Sequence, residues 1–262
     1  MTYTLHRGTT AMLVSMPHVG TEIPFELQKS YVPRALNVED TDWHLARLYD
    51  FLQALGVSVL QPQFSRYVID LNRPPDDAPM YPGASNTELC PTRFFNGDAL
   101  YQSGQEPSLQ EVQRRRNLYW QPYHDALAFE LARIKAVHGF ALLWDAHSIR
   151  SHIPWLFRGK LSDLNIGTAS GAAAALAISG AVANTVDGFS HVINGRFKGG
   201  YITRHYGQPE KHIHAIQLEK CQSLYMTETP PFAYDVMLAS KLQPTLKRML
   251  MAGLQAARDM YD

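Results

Sequence analysis

Short uninterrupted apolar runs alternate along this chain with longer stretches in which apolar residues recur every three or four positions. The first run, 11–16, is closed by Pro17 and predicts a strand buried on both faces that opens into a loop at His18. Leu45, Leu48, Tyr49, Leu52 and Leu55 then recur at helical spacing, predicting a helix capped by Asp40 or Thr41 and stopped by Gly56. Two further strands are predicted over 57–60 and 67–71. A helix beginning near Pro107 runs towards His138-Gly139, with a break or kink around Pro122. Residues 140–144 repeat the first pattern, a buried strand running into the polar residues Asp145-Ala146-His147-Ser148. The alanine-rich stretch 170–186 predicts a helix packed through small side chains, Gly199-Gly200 a turn, and 214–218 a strand ending at Glu219. Residues 239–257 predict an amphipathic helix despite Pro244. This alternation predicts an α/β fold, a mainly parallel or mixed sheet flanked by helices, which binds ligands at the carboxyl ends of its strands.

Length changes this picture little: 262 residues suit one domain spanning 1–262. The stretch 74–105, rich in Pro, Gly, Asn and Asp, is long for a connection inside such a domain and marks a candidate cover for a site. Composition narrows the function classes further. With 45% hydrophobic and 18% charged residues and a formal net charge of zero, the chain is globular and lacks the basic excess of a nucleic-acid binder. The one tight cationic run, Arg114-Arg115-Arg116, falls on a predicted helix where neighbours diverge, and a solvated face is expected. Two cysteines, Cys90 and Cys221, are too few for a disulfide framework or a thiolate zinc site and suit a reducing compartment. No signal-peptide core or membrane-length apolar run is present, so a cytoplasmic protein that engages no membrane and exists as a monomer or small homo-oligomer is expected.

The candidate chemistry lies where the predicted strands end. His18, His147 and Glu219 each follow or close one, and a parallel sheet gathers such ends at one edge. Two imidazoles and a carboxylate form a common catalytic zinc shell, with a further carboxylate outside it as base, a role that suits Glu219. On spacing alone Glu22, Asp40 and Asp42 all compete as third ligand, Asp40 being equally explained as a helix cap. Asp145 is placed to orient a histidine. In Ser65-Arg66-Tyr67-Val68-Ile69-Asp70-Leu71-Asn72-Arg73 the arginines suit a carboxylate, although an ion pair with Asp70 explains them as well. Arg196, Lys198 and Arg204, among the glycines of 194–205, suit either a small anionic ligand or an ordinary basic surface loop. No nucleophilic-serine elbow, Walker loop, Rossmann fingerprint or Cys-x-x-Cys pair occurs.

The ordered blocks SMPHVGTEIP, DTDWHLARLYDF, SRYVIDLNRPPDD, YPG, LCPTRFFNGDALY, YWQPYHDAL, LLWDAHSIRS, NGRFKGGYITRHYG and HAIQLEKCQSLYM give the chain a further identity. Along nearly its whole length it resembles the N-formylglutamate deformylase (N-formylglutamate amidohydrolase) family. That resemblance implies a phosphorylase/hydrolase-like α/β fold similar to zinc carboxypeptidases, and zinc-dependent hydrolysis of a small acidic substrate, N-formyl-L-glutamate, in histidine breakdown. It favours His18, Asp42 and His147 as ligands of one Zn2+, Asp42 coming from the DTDW block. The carboxypeptidase glutamate three residues after the first histidine is replaced here by Thr21. It also implies Glu219 as base and Asn72 and Arg73 as substrate ligands, with one of Arg66, Arg196 or Arg204 taking the second carboxylate.

Overall fold

The computed structural model describes residues 1–79 and 87–262; the YPG segment and part of the 74–105 stretch lie outside the described residues. Seven strands form one sheet: β1 (Tyr3–His6), β2 (Met12–Ser15), β3 (Ser58–Pro62), β4 (Ala141–Ile149), β5 (Leu164–Gly167), β6 (His191–Ile193) and β7 (Ile213–Cys221). Their spatial order is β1-β3-β2-β4-β7-β5-β6. Strands β3, β2, β4 and β7 run parallel to one another, β1 pairs antiparallel with β3, and β5 pairs antiparallel with β7. The sheet is therefore mixed around a parallel centre, the predicted class.

Among the described residues seven α-helices accompany it: α1 (Phe25–Gln28), α2 (Leu45–Leu48), α3 (Leu109–Arg115), α4 (Gln121–His138), α5 (Leu176–Asn184), α6 (Tyr201–Tyr206) and α7 (Val236–Arg258). Successive residues of a strand point to opposite faces. Along β4, Asp145 accepts from Thr203 of α6, while Trp144 donates to the Tyr49 hydroxyl just after α2, so these helices cover different faces. Every residue of β4 is buried, as a strand between two layers must be. Asp235 starts α7 by accepting the N–H groups of Met237 and Leu238, and the helix lays Leu242, Leu246, Met249 and Leu250 into the core.

Several sequence expectations are corrected. His147 lies inside β4 rather than beyond it, and β7 runs past Glu219 to Cys221 rather than ending there, because both strands continue through their polar ends. The 67–71 stretch is no strand: Val68 N–H turns back to the Ser65 carbonyl, and Arg66 pairs with Asp70 across one turn. The helix predicted from Asp40 shrinks to α2, begun at His44 without a side-chain cap, and Asp40 is instead buried against Arg150, Tyr67 and the Phe95 N–H. The 170–186 helix is only α5. Arg115, expected in solvent, is 2% exposed and donates to the hydroxyls of Tyr31 and Tyr101 and the Val68 carbonyl. The break near Pro122 appears as a π-helical turn over Arg116–Trp120, because Pro122 offers no N–H to the preceding turn.

No helix among the described residues is long and apolar enough to cross a membrane.

Candidate active site

Strands β2, β4 and β7 deliver their carboxyl ends to one edge of the sheet, and a cleft of about 700 Å³, partly open to solvent, lies there. The β4 to β7 register sets His147 directly opposite Glu219. His18 arrives three residues after β2, and its carbonyl accepts the Asp42 N–H at 3.0 Å, which fixes the Asp42 backbone beside it.

His18 Nδ1 and His147 Nδ1 are 3.1 Å apart, and they lie 3.8 and 3.3 Å from Asp42 Oδ2. A tetrahedral zinc with nitrogen bonds of about 2.0–2.1 Å sets its donor atoms roughly 3.3 Å from one another, a spacing these three distances bracket. The far nitrogen of each ring faces a carboxylate. His18 Nε2 donates to Asp70 Oδ1 at 2.7 Å, and His147 Nε2 lies 3.1 Å from Asp145 Oδ1, an oxygen with no hydrogen-bond partner among the described residues. A proton held on His18 Nε2 leaves its Nδ1 with the lone pair turned inward, the tautomer a ligand needs. Asn72 Nδ2 also lies 3.0 Å from His147 Nε2. The three donors therefore fit a divalent cation. Asp40, held by Arg150, and Glu22, exposed and bonded to Gln63, stand outside this cluster.

Burial governs the charges here. It lowers the pKa of His18, helped by the neighbouring Arg66 guanidinium and resisted by Asp70 and Asp42. For His147 burial is outweighed by Asp145, Asp42 and Glu219, which raise its pKa well above the ordinary value. Two imidazole nitrogens this close hold one proton between them more readily than two. Asp70 stays ionised despite burial because Arg66 and His18 face it. Burial pushes Glu219 up to about 8, with His147 opposing and Asp42 adding to the rise. Its Oε1 has no hydrogen-bond partner among the described residues although it is buried at the cleft. An unsatisfied buried carboxylate oxygen is costly, and a reactive group is one reason to keep it.

Arg66, Asn72, Arg73 and Arg196 all line the cleft; Arg204 does not, its Nε donating to the Gly199 carbonyl instead. Arg66 Nη2 donates to Asp70 Oδ2 at 2.6 Å, and Nη1 reaches His18 Nδ1 at 3.3 Å, so this guanidinium sits against the ligand cluster. Arg73 stands farther out and donates to Thr87 Oγ1. Arg196 reaches the Leu156 carbonyl. Asn72 is wedged beside Gly200, where an added methyl would overlap its amide; only glycine leaves that room. Gly199 has φ of +111°, a conformation that also suits glycine alone.

Sequence reasoning overlooked several lining residues. Gln217 is one, holding the Gly200 N–H; as a polar residue in a buried run, two positions from Glu219 and so on its face, it carried a readable signal. Thr87, Phe95, Leu156 and Phe197 carried none. Asp70 was read only as an ion-pair partner, whereas it also orients His18.

Comparison with known proteins adds an independent line. Residues 10–226 match the family model described as N-formylglutamate amidohydrolase. The chain is 50% identical over 258 residues to an N-formylglutamate deformylase of Pseudomonas aeruginosa, covering 97% of each chain. It is likewise 50% identical over 261 residues to one from Pseudomonas putida, covering 98% of this chain and 97% of the other. Among solved structures, an N-formylglutamate amidohydrolase of Ralstonia eutropha JMP134 superposes with a TM-score of 0.81 at 22% identity, over 98% of this chain and 97% of that one. A gene product of Agrobacterium tumefaciens superposes at 0.71 with 16% identity, over 95% of both chains.

Proposed function

The chain belongs to the N-formylglutamate amidohydrolase family, and from that premise we propose how its cleft carries out the reaction. The protein hydrolyses N-formylglutamate to glutamate and formate as a metal-dependent amidohydrolase. His18, Asp42 and His147 hold the metal, and zinc is the ion their two imidazoles and one carboxylate suit best. A divalent cation there supplies Lewis acidity, polarising the formyl carbonyl and lowering the pKa of water.

The protein's own groups do the rest. With its carboxyl kept ionised by the positive charge a divalent cation beside it would supply, Glu219 takes a proton on Oε1, which has no hydrogen-bond partner among the described residues, from the attacking water as the water oxygen bonds to the formyl carbon. The same carboxyl then returns that proton to the amide nitrogen as the carbon–nitrogen bond breaks, releasing formate and glutamate. Arg66, against the ligand cluster, steadies negative charge developing on the formyl oxygen. Arg73 with Asn72 grips one substrate carboxylate, and Arg196, farther along the cleft, takes the other. Arg204 supports this end indirectly, through the Gly199 carbonyl.

One sheet that runs through all seven strands, from Tyr3 to Cys221, supports a single domain spanning 1–262. Two buried, unpaired cysteines support a cytoplasmic setting.

The observation that carries this reading is the meeting of three inward-turned donor atoms with an unpartnered carboxylate oxygen in one cleft. Glu219→Gln is expected to keep its zinc, measured by elemental analysis, while formate release falls by about 10²–10⁴-fold. Zinc retained with full turnover would remove Glu219 from the mechanism. Parallel assays with N-formylaspartate and N-acetylglutamate, with and without chelator, separate this substrate from other acidic N-acyl amino acids.

A further inference from the structure

Leu71, Asn72 and Arg73 lie in a stretch with neither strand nor helix to satisfy its backbone. Each of their carbonyls is nevertheless taken. The Leu71 carbonyl accepts from His124 Nε2 at 2.9 Å, the Asn72 carbonyl from the Tyr201 N–H at 3.3 Å, and the Arg73 carbonyl from Trp120 Nε1 at 3.0 Å. The Asn72 side chain is held as well, its Oδ1 accepting the Ile202 N–H at 2.8 Å.

Two of the three carbonyl donors are ring N–H groups one helical turn apart. Trp120 and His124 stack with centroids 3.7 Å apart and planes 21° from parallel. Trp120 ends the π-helical turn, in which the Gln121 N–H reaches back five residues to the Arg116 carbonyl. Such a turn rotates the residues before it relative to those after it, which lets Trp120 and His124 address carbonyls on either side of Asn72. Because a carbonyl only accepts, Nε2 of His124 carries the proton, and Nδ1 accepts from the Tyr206 hydroxyl at 2.9 Å. Burial drives the His124 pKa down to about 3, so the ring stays neutral and this tautomer persists at working pH.

Neither ring lines the cleft. Filling space alone would need no polar ring, yet both spend their N–H groups on the one segment that bears the substrate grip. We propose that Trp120 and His124 are positioning residues for the acidic substrate: they fix the path of residues 71–73 and thereby aim Asn72 and Arg73 at a substrate carboxylate they never touch. The inference rests on reading Asn72 and Arg73 as that grip.

Three variants test it. Trp120→Phe keeps the stack and removes one N–H, His124→Leu removes the other, and His124→Gln restores a donor near the place of Nε2. For Trp120→Phe and His124→Leu the KM for N-formyl-L-glutamate is expected to rise roughly fivefold with kcat within about twofold, the effect of one hydrogen bond. His124→Gln should return most of the way to wild type, and metal content should not change. Calorimetric affinity for L-glutamate should weaken by the same factor, reading the grip without turnover. Unchanged KM and glutamate affinity in both variants overturns the proposal. So does loss of metal, or a fall in kcat alone, since either places the rings behind the metal ligands. Absent formate release in the wild type, with glutamate binding still weakened in both variants, would sink the reaction assignment and leave the brace standing.

Discussion

His147 and Glu219 face each other across two adjacent strands in the middle of the sheet, whereas Arg66, Asn72 and Arg73 occupy a segment that belongs to no strand or helix. The first pair is aimed by the ladder itself: once β4 and β7 are in register, a two-residue alternation decides which way each side chain points. The second group is aimed by side chains from elsewhere. Asp70 ties Arg66 and His18, Trp120 and His124 hold the carbonyls, and Gly200 leaves the space for Asn72. The difference teaches that His147 and Glu219 are aimed by backbone geometry, while the proposed substrate grip at the binding end, Asn72 and Arg73, is exposed to substitutions well outside it.

Four substitutions break or sharpen that contrast. The largest effect is expected from His147→Ala, which removes a donor atom that no neighbour replaces. Bound metal should fall to background by elemental analysis and formate release by roughly 10⁴-fold or more; retained metal with near-normal turnover would overturn the ligand assignment. Next comes Asp70→Asn, which leaves the donors in place but weakens the hold on His18 Nε2 and leaves Arg66 without its carboxylate. Metal affinity should drop by about 10–100-fold in a competition titration with a chelating dye. Arg73→Lys lies at the binding end, where a point charge replaces a planar fork. Its KM should rise by about tenfold with metal content unchanged. The smallest effect belongs to Arg204→Ala, whose guanidinium meets the Gly199 carbonyl rather than the cleft. A KM within about threefold of wild type is expected, and a rise matching that of Arg73→Lys would mean that this side chain reaches substrate directly.

The same contrast explains what could be read from the sequence. Apolar runs ending in Pro-His-Val-Gly, Asp-Ala-His-Ser and a glutamate revealed the parallel centre and its three reactive ends, because a doubly covered strand writes an unbroken hydrophobic run. His147 was nonetheless placed beyond its strand and Glu219 at the end of its own, since polar residues inside a strand look like the start of a loop. The outer strands β1, β5 and β6 are only three or four residues long, and β1 and β6 are half exposed, so they wrote no comparable signal. The 67–71 stretch, rich in β-branched and aromatic residues, imitated a strand, and its turns come from Asp70 and Ser65 contacts that no periodicity encodes. Third-ligand choice among Glu22, Asp40 and Asp42 was beyond spacing for a similar reason: the choice depends on Arg150, distant in sequence, claiming Asp40.

His18, Asp42 and His147 are drawn from positions 129 residues apart at the extremes, and only the assembled β2 and β4 bring them together. An unfolded chain offers no such triplet, so a cation binds the native state and not its competitor. By mass action the ion then adds to the folding equilibrium, by about 4 kcal/mol at a free concentration a thousandfold above its dissociation constant. The melting temperature of this enzyme should accordingly track free metal concentration, making heat resistance a property of the medium as much as of the polypeptide.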